Sequence, residues 1–526
     1  MRILVIVIRS AVCYNIVNIV YSALLCSSGG QTENTMKLVL YGHDYKYAVE
    51  QMLLTMFPEE RPEYPEPPVS GERMEIRLSR GERMTSASCA YYRGKSVFHG
   101  AARAQNAALE EPLQRDRICQ RLVKNAMYRA ALKAGVQKPV WGALTGVRPG
   151  KLLAGMIASG MEEKAALRSF ISEYDVSPER AGLCLITTRE TLKAEASLTA
   201  KDVCLYVGIP FCPTRCAYCS FVSQSVEKSM KLVAPFLQAL EREITATAAQ
   251  VKALGLRPVS LYMGGGTPTT LSAEQLDRLC TVLEDRFDLS ALREYTVEAG
   301  RPDTITAEKL QVLRAHGVDR ISVNPQTMSD RVLELIGRRH TAADIVTALE
   351  KARTVGGFDV NMDLIAGLPG DSVAGFRATL EKVLALGAEN VTVHTLSLKK
   401  GSRITLEETP IPGAREVAAM LDYASQRLTA AGYAPYYLYR QKFMSGGFEN
   451  VGWAREGRVN LYNICIMEEL RSILAMGGGG STKLICTDGG RNIRLMAPKY
   501  PLEYIENIEK TCAEKERISE FYLRKR

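Results

Sequence analysis

Two hydrophobic rhythms run along this chain of 526 residues, and they change over near residue 202. Beyond that point short apolar runs alternate with longer stretches whose apolar positions recur every three or four residues. The runs are CLYVGIP (204–210), SLYMGG (260–265), YTVEAG (295–300), RISVNPQ (320–326), NMDLIAGLP (361–369) and VTVHTLSL (391–398). Short apolar runs with β-branched residues predict strands, and the spacing across 233–248, 273–285, 307–315, 342–353 and 373–386 predicts helices. Strand–helix repeats of this kind argue for a parallel sheet, and six of them fit a partial β/α barrel. The C-terminal ends of such strands are where barrel chemistry collects.

Before residue 202 the pattern is less regular. Residues 36–57 read as strand, turn and helix, followed by a Pro-rich loop at 58–70. Strands are expected near 75–78 and 88–92, and helices over 116–134, 161–174 and 178–194. In the intervening VWGALTGVRPGKL (140–152), Arg148 and Lys151 could hold a phosphate or carboxylate, or belong to an ordinary loop before a helix. The first thirty residues carry Arg2, Arg9 and an apolar run to Cys26, as a signal peptide or anchor would. Asn15 and Asn18 interrupt that run and a polar stretch follows, so translation is expected to begin at Met36.

The expected organisation is therefore a doubtful leader (1–35), an N-terminal accessory α+β domain (36–198), the barrel (199–405) and a small C-terminal α/β domain or cap (406–526). Within the last, 414–430 reads as a helix. The tyrosines of 433–440 suit either stacking on a flat ligand or strand packing. The charged tail (500–526) reads as a solvated outer face or cap.

Composition adds limits. The length predicts two or three domains. Lys plus Arg (67) exceed Asp plus Glu (58), a net charge of +9 that suits an anionic partner but is spread along the chain. No aromatic-and-basic module for nucleic acid stands out. The thirteen cysteines are scattered singly outside one group, which suits a reducing cytoplasm, and with a start at Met36 no membrane association is expected.

The exception is Cys212, Cys216 and Cys219, spaced C-x3-C-x2-C on the loop that leaves the first barrel strand. Three such thiolates can hold three corners of a [4Fe–4S] cluster and leave one iron open. They could also form part of a zinc site with a fourth ligand elsewhere, or be unrelated buried thiols. The second strand ends in GGGTPT (264–269), where missing side chains let a ligand approach the backbone. Glu298, Gln326 and Asp363 are polar residues at the ends of the third, fourth and fifth strands.

The cysteine motif followed by GGGTPT resembles the radical S-adenosylmethionine (radical SAM) superfamily. YVGIPFCPTRCAYC, TVEAGRPD, RISVNPQT, IGRRHT, MDLIAGLPG and FENVGWAREGRVNLYN narrow the resemblance to the oxygen-independent coproporphyrinogen III dehydrogenase (oxidase) family, including its haem-chaperone members. The likeness covers roughly residues 200–480, and LTGVRPGK in the N-terminal region resembles the HemZ-type branch. The resemblance implies a radical SAM barrel and makes Cys212, Cys216 and Cys219 the cluster ligands and catalytic residues. It matches Tyr206, Gly265 and Glu298 to contacts with cluster-bound SAM. Tyr218, Gly266, Thr267, Gln326, Arg338 and Asp363 match contacts with a second SAM. Gly477-Gly-Gly-Gly-Ser-Thr resembles the family's glycine-rich loop near SAM, or is a turn.

The implied reaction converts coproporphyrinogen III to protoporphyrinogen IX, turning propionates into vinyl groups in porphyrin and haem biosynthesis. Cluster and SAM supply a 5′-deoxyadenosyl radical that removes a hydrogen from the propionate β-carbon. A donor such as flavodoxin or ferredoxin would provide the electron. Arg301, Arg320 and Arg338 could meet carboxylates, and Arg301 and Arg320 could equally form structural ion pairs. Three positions depart from the dehydrogenase pattern: Gly208 stands where it has a histidine, Phe221 where it has a fourth cysteine, and Asn324 where a glycine is usual. They leave open a haem-binding chaperone, with His340 and His394 as candidate haem ligands or packing residues, or a radical SAM enzyme on another substrate.

Overall fold

A computed structural model describes residues 34–109, 112–219, 224–225, 229–397, 402–407, 409–441, 447–487 and 490–524. The doubtful leader and Phe221 lie outside them, apart from the last two residues of the leader. The described residues fall into two compact units that divide between Lys138 and Pro139.

The first unit is a five-stranded sheet with two helices. Its elements are β1 (Thr35–Tyr41), α1 (Lys46–Met56), β2 (Arg61–Glu63), β3 (Arg73–Arg80), β4 (Met84–Arg93), β5 (Ser96–Gln105) and α2 (Pro112–Lys133), with strand order β2-β1-β3-β4-β5. Strands β3 to β5 form an antiparallel meander. Alternation such as Met74, Ile76 and Leu78 puts one face of the sheet in the core.

The second unit begins with α3 (Pro149–Ala158), α4 (Glu163–Tyr174) and α5 (Pro178–Ala196). Expected as part of the first domain, this stretch belongs instead to the barrel unit: Trp141, Leu153, Phe170 and Cys184 share one hydrophobic core with the barrel strands. Arg148 and Lys151 both pair with Glu469, at 2.7 and 3.2 Å, which is the structural alternative to anion binding.

The barrel follows as β6 (Asp202–Ile209), α6 (Val233–Leu254), β7 (Arg257–Gly265), α7 (Ala273–Arg286), β8 (Glu294–Glu298), α8 (Ala307–Ala315), β9 (Arg320–Ser322), α9 (Ala342–Val355), β10 (Asp359–Ala366), α10 (Val373–Leu386) and β11 (Asn390–Thr395). These six strands are parallel and adjacent in sequence order, forming a partial (β/α)6 barrel. Continuous apolar runs arise because both faces of the strands are covered. In β6, Val203, Leu205, Val207 and Ile209 pack with Phe236 and Leu240 of α6, while Cys204 and Tyr206 pack in a second cluster with Tyr462 and Ile464.

The C-terminal stretch is not a separate sheet. After α11 (Ala414–Ala430), β12 (Ala434–Arg440) and β13 (Glu449–Ala454) extend the barrel sheet antiparallel beyond β11. After α12 (Leu461–Glu468), β14 (Ile473–Gly477) returns to the other edge and lies parallel to β6, followed by β15 (Ser481–Leu484) and β16 (Ile493–Met496). The full order is β12-β13-β11-β10-β9-β8-β7-β6-β14-β15-β16.

The tail also departs from its solvated reading. Tyr504, Ile518 and Lys515 are buried. Lys515 Nζ pairs at 2.7 Å with Glu243 of α6 and donates at 2.7 Å to the Ala475 carbonyl. Glu243 accepts from Tyr504 and, at 2.7 Å, from the Gly477 N–H. The tail thereby fixes the end of β14. Replacing Lys515 by Met leaves Glu243 buried without its cation, and a loss of ~3–5 kcal/mol is expected in urea unfolding. Arg242→Ala, which removes the exposed pair to Glu509, is the comparison and should shift the midpoint far less. Equal shifts would overturn the assignment.

Candidate functional site

The cysteine loop and the GGGTPT turn are stitched together by main-chain hydrogen bonds. Gly266 N–H donates to the Ile209 carbonyl and Thr267 N–H to that of Phe211, both at 2.7 Å. A Cβ on Gly266 would stand 2.5 Å from the Phe211 oxygen, so no other residue fits there without moving one of the two loops. Part of the room left by the glycines is thus taken by the chain's own cysteine loop. The Thr267 hydroxyl lies 3.4 Å from Cys212 Sγ. Cys219 N–H donates to the Cys216 carbonyl at 3.1 Å, and Ala217 N–H to that of Ile336 at 2.9 Å.

Two buried arginines border the loop. Arg301 reaches Thr214 Oγ1 at 2.8 Å and Cys216 Sγ at 3.7 Å. Arg338 donates to the carbonyls of Asn324 (2.7 Å) and Gly300 (3.2 Å) and to the Tyr218 hydroxyl (3.3 Å). Among the described residues no three Cys, His, Asp or Glu side chains are gathered closely enough for a single metal ion. Three half-buried thiols on one tethered loop, beside fixed positive charge, do suit the separate corners of an iron–sulfur cluster.

A ring of polar groups lines the neighbouring strand ends. Tyr206 and Tyr262 are paired in register on β6 and β7. Tyr462 of α12 stacks on both, with centroids 6.2 Å from Tyr206 and 4.4 Å from Tyr262. The N-terminus of α12 is held by Glu294, which accepts from Leu461 and Tyr462 N–H at 2.7 and 2.6 Å. Tyr262 donates to Glu298 at 2.6 Å. Burial pushes the Glu298 carboxyl up to about 7, against the Tyr262 hydrogen bond and with help from the Asp363 charge. Asp363 is half-buried, which works to raise it, yet His394 (3.8 Å) and the Asn361 amide (2.8 Å) hold it below the usual carboxylate range.

Of the candidate residues, Cys212, Cys216, Cys219, Tyr218 and Arg338 meet at the loop, and Gly265, Gly266 and Thr267 form the turn stitched to it. Tyr206, Glu298 and Asp363 lie on strands leading to the rim. Gln326 joins β9 to β10 by exchanging main-chain bonds with Asp363 and Ile365. Asn324 accepts from the Asp363 N–H at 3.2 Å, so its amide braces the rim. Arg320 sits at the opposite end, at the start of β9, bonded to Asn390 and paired with Asp359 at 3.5 Å, a structural role. The tyrosines of β12 pack: Tyr436 and Tyr437 are buried, with Tyr436 bonded to Asn463. His394 is engaged by Asp363, whereas His340 is buried and, among the described residues, neither ring nitrogen has a partner.

Sequence reasoning passed over Tyr262 and Tyr462. The parallel LYVG and LYMG runs could have revealed the first, since matched positions on adjacent parallel strands share a face. Nothing local signals Tyr462, which comes from a helix about 250 residues away. On sequence the loop after β14 resembles a contact near SAM or is a turn. It packs against β6, where a Cβ on Gly208 would lie 2.9 Å from the Gly478 oxygen.

Residues 206–383 match the family model described as the radical SAM superfamily. The chain is 40% identical over 380 residues to the oxygen-independent coproporphyrinogen-III oxidase-like protein HemZ of Bacillus subtilis, covering 71% of this chain and 76% of that one. It is 34% identical over 258 residues to the haem chaperone HemW of the same organism, covering 47% of this chain and 64% of the relative. Among solved structures, coproporphyrinogen III oxidase (HemN) of Escherichia coli aligns with a TM-score of 0.49 and 25% identity, over 61% of this chain and 72% of that one.

The Glu298 environment sets a pH dependence. Its folded-state pKa, about 7, lies above the ordinary 4.5, so folding favours the neutral acid. That contribution is complete below the ordinary value and is lost as pH rises through the folded one. Glu298→Gln, which stays neutral, should therefore come closest to wild type in urea unfolding at pH about 4 and exceed it at pH about 8. A stability difference that does not vary with pH would remove the assignment.

Proposed function

Because the chain belongs to the radical SAM coproporphyrinogen oxidase-like family, a group of haem-pathway proteins using a [4Fe–4S] cluster and SAM, we propose that it oxidatively decarboxylates coproporphyrinogen III. Two propionates would become vinyl groups, giving protoporphyrinogen IX. The observation carrying this reading is the meeting of three features at one end of the barrel: the cysteine loop, the glycine turn stitched to it, and the half-buried Glu298–Asp363 rim.

In this reading Cys212, Cys216 and Cys219 hold the cluster. Bound there together, cluster and SAM would supply one-electron radical chemistry for removing hydrogen at the propionate β-carbon. Tyr206, Gly265 and Glu298 contact the SAM on the cluster. The Glu298 carboxyl, neutral or ionised near pH 7, would give up its proton when a cationic amino group arrives. Tyr218, Gly266, Thr267, Gln326, Arg338 and Asp363 would serve a second SAM. Arg301 and Arg338 hold positive charge against the cysteine loop, which would favour acceptance of an electron there from a carrier such as flavodoxin or ferredoxin.

One observation favours a second reading, a haem chaperone that keeps cofactor binding without this turnover. The dehydrogenase resemblance places a histidine where this chain has Gly208, and the loop after β14 fills the space that any side chain there would need. The HemW similarity points the same way.

Anaerobic turnover separates the two. The chain is reconstituted with iron and sulfide, reduced, and given SAM and coproporphyrinogen III. Both 5′-deoxyadenosine and protoporphyrinogen IX are expected, each falling to background in Cys212→Ala, Cys216→Ala and Cys219→Ala. Deoxyadenosine alone would remove the porphyrinogen substrate. Absence of both products, with stoichiometric haem uptake and transfer, would favour the chaperone.

A further inference from the structure

The sheet of the first unit is covered by helix on one face only. There α2 lies so close to β5 that Gly100 has no room for a Cβ beside the Ala126 carbonyl. On the other face, alternate residues of neighbouring strands fall into rows fixed by the pairing register. Tyr41, Arg77, Ser88 and Ala101 form one row. Arg73 stands beside Tyr92 in a second, and Ser86 beside Arg103 in a third. Arg77, Ser86, Ser88, Ala101 and Arg103 are exposed, and Tyr41, Arg73 and Tyr92 are half-buried.

This face carries unbalanced positive charge. From Arg73 to Gln105 seven arginines and lysines meet two carboxylates, Glu75 and Glu82. Glu75 is taken by Arg73 at 2.8 Å. Arg77 and Arg103 stand on the face, with Arg83 and Lys95 in the hairpin turns at its two ends, and none of the four has a carboxylate partner among the described residues. The second observation is aromatic. The Arg73 guanidinium lies 3.6 Å from the Tyr92 ring centroid, and that of Arg77 4.4 Å from the Tyr41 centroid. Between these stacks the floor is made of serine and alanine, whose side chains barely rise above the sheet. Bases stack on aromatic rings and guanidinium planes, and arginine pairs with phosphate, so a flat floor edged by such groups matches a planar, anionic polymer. An acidic protein surface would meet the charge but leave the stacks unused.

We propose that this open sheet face binds single-stranded nucleic acid. The bases lie on the floor between Tyr41 and Tyr92, and the phosphates run against Arg77, Arg103, Arg83 and Lys95. These residues alternate with core positions on separate strands, so no basic and aromatic module is visible along the chain until the sheet gathers them. The site belongs to the first unit and stands whichever substrate the barrel takes.

The test uses the reconstituted full-length chain under anaerobic conditions. Fluorescence anisotropy follows its binding to labelled oligouridylate and, separately, oligodeoxythymidylate of about twelve nucleotides, over a range of salt. Binding is expected at low salt and should weaken steadily as salt rises. Arg77→Gln with Arg103→Gln should weaken it about tenfold or more and flatten the slope of log affinity against log salt by about 1.4, the share of two phosphate contacts. Tyr92→Leu should weaken it about fivefold or more with the salt slope unchanged, which separates stacking from charge. Ser88→Glu, an exposed position, should abolish binding while the chain stays folded. Lys510→Gln, an exposed cation of the tail, should bind as wild type does. Tighter binding of the uridylate identifies RNA, and equal binding identifies single strands of either sugar. Binding of neither oligomer, or wild-type affinity in both the arginine variant and Ser88→Glu, overturns the proposal. So does displacement by polyglutamate as effective as by unlabelled oligomer, which would point to an acidic protein instead.

Discussion

The constraint on which the site depends is the contact between two main chains, the cysteine loop and the turn after β7. Gly266 and Thr267 donate to Ile209 and Phe211, and the closeness of that approach leaves no volume for a side chain at 266. Three cysteines spread over eight residues would otherwise be thiols on a loop of many conformations, whose ordering has an entropic cost. Fixing the loop to a strand end lowers that cost before any metal arrives. It also joins the three cysteines to the same strand ends that carry Tyr206, Tyr262 and Glu298.

Around this seam the charges are segregated. Arg301 and Arg338 lie on the loop side, within reach of Cys216 and Tyr218. Glu298 and Asp363 lie in the rim, where one carboxyl is raised by burial and the other is held ionised by His394 and Asn361. Two half-buried carboxylates near one another repel, and different surroundings separate their titrations. The arrangement gives a cationic bed for sulfur ligands beside an acidic rim suited to a cationic ligand, within one end of a barrel.

The sheet edge supplies the remaining wall. β14 pairs with β6 in parallel although some 260 residues separate them, and its glycine loop closes over Gly208. That strand end is held by Glu243 of α6 and by Lys515 and Tyr504 of the tail. The C-terminal segment therefore reaches the cysteine strand indirectly, through a buried ion pair. The absence of a side chain at 208 is a packing consequence of that closure as well as a departure in sequence.

The strand–helix order, the cysteine spacing and the polar strand ends were legible because they are local: period, turn chemistry and residue type within a few positions. Five of the six barrel helices and all six strands fall within a few residues of where the apolar rhythm placed them, and the helix after β11 was read as a C-terminal element. Contacts between distant segments were not legible. Residues 139–198 looked like part of the first domain, but their apolar faces pack on the barrel core. Arg301 and Arg320 looked alike in sequence, yet one reaches Cys216 and the other Asp359, because they sit at opposite ends of strands. The sequence by itself determined the barrel, the thiol triad and the glycine turn, since each is set by short-range sterics and periodicity. Only the tertiary structure decided which charges meet, that Tyr462 completes the stack, and that Lys515 is buried against Glu243. Those outcomes depend on which surfaces long-range packing removes from water.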